Sequence, residues 1–271
     1  MKYINKQASP QKFEDWKKKN NPTAWQPPGF LKKYLLEEQG YICCYCGMRI
    51  FDNHYTPIEH LLPKDKDKYP EKMYEYSNLF ASCNGDQKNI THVCEADDTW
   101  EVIMQKYHTN KEVLYAMNFA EKPHKKINPY TDLLQKGDSV IVQVVSSPKK
   151  LHCDAKKSNK EIAIHPKMTN CESYFVYDYG GAIKAKDANN KNVTDTIEIL
   201  GLDVEKLKKL RREAIEDRLI DIDAEGFSIQ ELELLIKGFG EKNDKGEFDV
   251  FCQVIVAILE DEKKYKKALG K

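Results

Sequence analysis

The chain has 271 residues, 41% of them hydrophobic and 32% charged, enough for one large domain or two modest ones with real cores. Its 43 basic and 43 acidic residues cancel, so overall charge names no partner. No apolar run approaches ~18 residues, which excludes a spanning helix, and MKYINKQASPQKFEDWKKKNN has no apolar signal core; the expected setting is the cytoplasm, away from membranes.

Along the chain, SPQKFEDWKKKN (9–20) reads as a short helix with Ser9 as N-cap and Pro10 at the first helical position. A proline-rich loop precedes GFLKKYLLEEQG, a second helix stopped by Gly40. YICCYCGMRIF then predicts a strand turning through CYCG into another strand. Residues 53–79 are polar, without a clear period. Between 85 and 150, TWEVIMQKYH predicts a helix and SVIVQVV a strand. ESYFVYDYGGAIKAK predicts a hairpin. From Val193 onward the pattern is helical: TDTIEILGLDVEKLKKLRREAIEDRLIDI is one such run, and Ser228 with Glu231 forms a capping box before LELLIKGF. The final long helix, FDVFCQVIVAILEDEKKYKKAL, turns Phe248, Phe251, Val254, Ile255, Ile258 and Leu259 inward. Charge is uneven: residues 121–160 hold nine Lys against four acids, whereas 201–271 hold fourteen bases against seventeen acids. That distribution suits a polyanion on one face and another contact elsewhere.

Eight cysteines without an export signal point to core packing or metal ligation, not disulfides. Cys252 lies in an apolar run and is a core thiol. Cys43 and Cys46, on a tight turn relieved by Gly47, form the first half of a zinc knuckle, with Cys44 packing inward. Two more ligands are needed. Cys83 and Cys153 are the first choice; Cys94 competes, with His92 two residues before it. Four thiolates would close the coordination sphere and make the zinc structural. The segment Ile58-Glu59-His60-Leu61-Leu62-Pro63 follows the first half-site, then Asn78-Leu79, Cys83-Asn84 and Cys153-Asp154-Ala155-Lys156-Lys157. His54, His108, His124, His152 and His165 have no motif support.

The order C-x2-C, E-H, N-L, C, C-D-x-x-K resembles the HNH nucleases. EEQGYICCYCGMRI, IEHLLPK, YSNLFASCNG, LHCDAKKSNKEIAIHP, CESYFVYDYGGAI and TIEILGLDVEKLKKLR look like the retron- and Septu-associated HNH family (PtuB-like). The resemblance covers 30–84 and 151–212, so 85–150 reads as an insertion. It implies an α+β fold: a ββα-metal core from about 41–84 and 150–165, braced by a four-cysteine zinc site and surrounded by helices. The implied domains are a helical segment at 1–40, a nuclease domain at 41–192 containing the insertion, and a helical region at 193–271.

The resemblance also implies roles. His60 matches the general base, Glu59 an adjacent ligand for Mg²⁺ or Mn²⁺, and Asn78 the residue that orients loop and base. Asp154 stands where the family has His or Asn and would be the second ligand of that ion, with Lys157 near the scissile phosphate. Cys83-Asn84, followed by Lys88, is the alternative third motif. The implied activity is metal-dependent hydrolysis of nucleic acid, DNA ahead of RNA. The implied setting is anti-phage defence beside an ABC/SMC-type ATPase (PtuA-like) with retron RNA or DNA, the acidic C-terminal helices serving as docking surface. A non-catalytic zinc module and a stand-alone restriction-type endonuclease are the competing readings.

Overall fold

The computed structural model describes the chain except residues 54, 66, 108–110, 116–117, 120–126, 146–147, 220–226 and 270–271; at 87–89, 112–113, 143–145 and 148 it describes backbone alone. His54, His108 and His124 lie outside the described residues. In chain order the elements are α1 (Gln11–Asn20), α2 (Leu31–Gln39), β1 (Ile58–His60), β2 (Leu79–Ala81), β3 (Gln87–Val93), α3 (Trp100–Tyr107), α4 (Lys111–Tyr115), β4 (Ser139–Val145), α5 (Cys153–Lys157), β5 (Phe175–Tyr177), β6 (Ile183–Ala185), α6 (Lys191–Leu200), α7 (Glu205–Leu219), α8 (Ile229–Gly240) and α9 (Cys252–Ala268). The strands pair antiparallel as β1–β2, β3–β4 and β5–β6, so the fold is α+β.

Contacts divide the chain into two units: Met1–Gly85 with His152–Lys271, and Asp86–Leu151. In the first, α2 buries Leu31, Leu35 and Leu36 and ends at Gly40, whose left-handed backbone (φ 61°) no side chain could share, because a Cβ would lie 2.5 Å from the Phe248 ring. These leucines join Phe13, Tyr45, Leu79, Phe80 and Leu200 in one core. A second core in the same unit is made by Ile215, Leu232 and the Phe251, Val254, Ile255, Ile258 and Leu259 face of α9. The Ser228–Glu231 capping box is formed in full at the start of α8.

Three local expectations need correction. CYCG is not flanked by two strands: Cys43 N–H donates to Met48 O (2.8 Å) and Gly47 N–H to Cys43 O (3.1 Å), curling the chain so that only Ile42 and Arg49 bridge. Ser9 makes no capping bond; Pro10 occupies the cap and α1 starts at Gln11. The helical run after Val193 breaks at Gly201, in left-handed backbone at φ 58°, which separates α6 from α7.

The Asp86–Leu151 unit carries the β3–β4 ladder, with His92 opposite Val140 and Val93 opposite Ser139. Its core gathers Cys94, Trp100, Ile103, Leu114, Val140 and Val142. The chain leaves the first unit at Gly85 and re-enters it at His152, where His152 N–H donates to Gly85 O (3.4 Å). Gly85 has φ 62°, and a Cβ there would stand 2.2 Å from His152 O, so this crossing admits glycine alone.

Candidate functional site

The curl at Cys43–Gly47, the end of β2 and the start of α5 converge on one point. The Sγ atoms of Cys43, Cys46, Cys83 and Cys153 all lie within 4.8 Å of one another. Cys43 and Cys153 are 3.8 Å apart, Cys46 and Cys83 3.9 Å. Tetrahedral zinc at its usual Zn–S distance of about 2.3 Å separates its sulfurs by roughly 3.8 Å, so the four fit that ion. All are at least 95% buried. Burial opposes ionisation, yet hydrogen bonds from Cys153, Cys44, Cys46 and Cys83 hold Cys43 well below the usual thiol range; burial pushes Cys153 well above it. A lowered pKa at Cys43 favours the thiolate form, which is the form that ligates a metal.

The surroundings brace these ligands. Cys153 occupies left-handed backbone at φ 54°, a conformation that costs a non-glycine residue about 1–2 kcal/mol. Gln253, from α9, donates to Cys46 O (3.0 Å) and fills the space beside Gly47. Cys44 packs inward, its N–H on Ala81 O (3.2 Å), and burial raises its thiol pKa well above normal. The fourth thiol is thus Cys153; Cys94 lies in the other unit with His92 and Asp98.

One residue beyond Cys153, Asp154 sits in the first turn of α5 and hydrogen-bonds Glu59 on β1. Glu59 is 3% exposed. Its Oε1 accepts from Tyr45 Oη (2.7 Å) and pairs with Lys157 Nζ (2.8 Å). Burial works against the Glu59 carboxylate, but the Asp154, Lys157 and Tyr45 donors together keep its pKa low. Asp154 moves the other way: burial first, then the Glu59 charge, raises it well above normal. Crowding of like charges thus pushes the two carboxyl pKa values apart, Glu59 towards its charged form and Asp154 towards its protonated one.

Two oxygen donors of this kind suit a hard divalent ion. Glu59 Oε1 is already engaged by Tyr45 and Lys157. Lys157 departs from expectation. It is fully buried and donates to His60 O (2.9 Å) as well as pairing with Glu59, so it tethers α5 to β1.

No protein-family model matches this sequence, and no curated protein matches it either.

His60 follows Glu59 and ends β1. Its Nε2 lies 3.0 Å from Met73 O. A carbonyl can only accept, so Nε2 carries the proton and Nδ1 keeps the lone pair. Trp25 packs edge-on against the ring, centroids 4.2 Å apart. Burial, reinforced by the Lys64 charge, lowers the imidazole pKa to about 4 despite the Met73 bond. Asn78 clamps the return loop: Oδ1 accepts from Leu62 N–H (2.8 Å), while Nδ2 donates to Leu62 O (2.9 Å) and Lys72 O (3.1 Å). Lys72 precedes the carbonyl that holds His60, so Asn78 positions the imidazole indirectly.

Sequence reasoning missed Tyr45, Trp25, the Met73 carbonyl and Gln253. Tyr45 alone left a trace, a large aromatic between two ligand cysteines.

Proposed function

We propose that this chain is a metal-dependent nuclease of the HNH type, retron- and Septu-associated in kind, hydrolysing phosphodiesters in nucleic acid, with DNA the first substrate to test. The observation that carries this reading is the Asp154–Glu59 contact beside His60: the helix turn that supplies a zinc-class thiol delivers a carboxyl to the neighbour of an imidazole. In this reading residues 41–84 and 150–165 form a ββα-metal core, with β1 and β2 as its hairpin and α5 as its helix.

His60 Nδ1 takes the proton from the attacking water while Nε2–H stays on Met73 O. The lowered pKa keeps the ring unprotonated at neutral pH, and an incoming phosphate anion raises its basicity at the moment of use. Asn78 fixes the loop that carries the Met73 carbonyl. Tyr45 and Lys157 hold the Glu59 carboxylate in place. A divalent ion on Glu59 and Asp154 would supply charge to stabilise the phosphorane and the leaving oxygen. The chain's neutral net charge is weak for gripping DNA alone, which supports delivery of substrate by a second protein, an ABC/SMC-type ATPase docked on the acidic C-terminal helices.

A second reading, a zinc module that binds without cutting, is favoured by the Lys157–Glu59 pair, which already neutralises the buried carboxylate. Cleavage of a plasmid and of a single-stranded oligonucleotide in Mg²⁺ or Mn²⁺, with the ATPase present, separates the two. Wild type should cut and His60→Ala should not. Equal cutting by both would reject His60 as the base, and no cutting by either would favour the binding module.

A further inference from the structure

The Asp86–Leu151 unit contains a second group of ligating atoms that the chemistry above does not use. His92 near the end of β3, Cys94 just past it, and Asp98 in the turn before α3 each offer one atom, all within 4.8 Å of one another. Alternation along a strand puts residues two apart on one face. His92 and Cys94 accordingly point the same way, 9% and 1% exposed, while Val93 between them faces out at 55%. The backbone of Cys94 is pinned on both sides, its N–H on Asp138 O (2.7 Å) and its O accepting from Gly137 N–H (2.8 Å). Asp98 Oδ2 lies 2.9 Å from His92 Nε2 and also accepts from Glu95 N–H (2.7 Å). Behind the ring, Tyr107 Oη lies 2.9 Å from His92 Nδ1.

We propose that His92, Cys94 and Asp98 form a second metal site for a zinc-class ion. A hydrogen-bonded structural histidine would account for His92 and Asp98, but not for a buried thiol held within ligand reach of both. The donor set selects the ion: thiolate with imidazole suits zinc and its transition-metal neighbours and disfavours Mg²⁺ or Ca²⁺. Charge balances too, because one thiolate and one carboxylate neutralise a dication, so the filled site adds no net charge to a buried place.

Protons also balance. Without metal, Nε2–H donates to Asp98 and Tyr107 O–H donates to Nδ1. On binding, Nε2 ligates through its lone pair, the ring proton moves to Nδ1 and is donated to the Tyr107 oxygen, and the Cys94 thiol releases its proton to solvent. A hydrogen-bond acceptor on the far nitrogen is the usual support for a metal-bound histidine, and the Tyr107 oxygen takes that place here. The gain is structural: Cys94 belongs to the small core with Trp100, Ile103 and Val140, and a unit of this size buries a modest core, so metal-binding free energy adds directly to its folding free energy.

The test is zinc content of the full-length protein after extensive dialysis, read beside the absorption of the Co²⁺-substituted form. Wild type should hold two zinc ions per chain, and its Co²⁺ form should show a four-thiolate spectrum plus a weaker, single-thiolate one. Cys94→Ser should reduce the count to one and remove only the weaker spectrum, and His92→Gln should do the same if the serine variant fails to fold. One zinc per chain in the wild type with a purely four-thiolate Co²⁺ spectrum would overturn the proposal, as would an unchanged count in both variants.

Discussion

The thiol cluster and the carboxylate pair sit one residue apart in the chain, at Cys153 and Asp154, yet they stand in opposite states. The four sulfurs converge within 4.8 Å of one another, at the spacing that suits a zinc-class ion. The carboxyls already have Lys157 against Glu59, and Asp154 is pushed towards its protonated form. A site that lacks its counter-charge is bound to its ion for folding; a site that carries a substitute can lose and regain its ion. In the reading proposed above, the thiol cluster would hold its ion structurally and the carboxylate pair would exchange one, on the same helix turn.

The largest effect should come from emptying the thiol cluster. Structural zinc contributes on the order of 10 kcal/mol in small metal-folded domains. Cys46→Ser, or chelation of the wild type, should therefore abolish the cooperative unfolding transition followed by circular dichroism. Retention of that transition without zinc would remove the contrast.

Next comes Lys157→Met, which strands the Glu59 charge in the core. Breaking one side of a buried ion pair costs about 3–5 kcal/mol. The loss should appear in urea denaturation without divalent ions and shrink on adding Mn²⁺; failure of Mn²⁺ to recover any of it would argue against ion binding at Glu59.

A comparable contribution should depend on pH. His60 has its folded pKa lowered to about 4 from 6.5, so the unfolded chain binds the proton more readily. Its contribution is present above pH 6.5 and is lost as pH falls towards 4, about 3 kcal/mol in all. His60→Gln should flatten that part of the stability–pH curve measured by denaturant unfolding. The smallest effect should follow Asn78→Ala, which orphans Leu62 N–H and O at about 1–3 kcal/mol and should slow cleavage more than it weakens Mn²⁺ binding.

Much of this was legible in the sequence because it depends on local chemistry. Cys43-x-x-Cys46-Gly47 announces a knuckle, and Gly40 and the Ser228–Glu231 box announce helix ends, since caps and turns are decided within a few residues. The CYCG flanks were misread because hydrophobic alternation cannot distinguish a strand from a curl closed by two backbone bonds. The Gly201 break was hidden by apolar spacing that continues across it. The Lys157–Glu59 pair was invisible for another reason: it joins residues 98 positions apart in the chain, and a lysine reads as a surface charge until its partner is known. Cys153 is the first choice from the sequence and Cys94 its competitor, and the fold, which places Cys153 with Cys43, Cys46 and Cys83, separates them.

The most direct measurement is Mn²⁺ binding by electron paramagnetic resonance to zinc-loaded protein, wild type against Asp154→Asn. The account predicts one Mn²⁺ per wild-type chain, greatly weakened in the variant, with zinc content the same in both. Equal Mn²⁺ binding by the two proteins would contradict it.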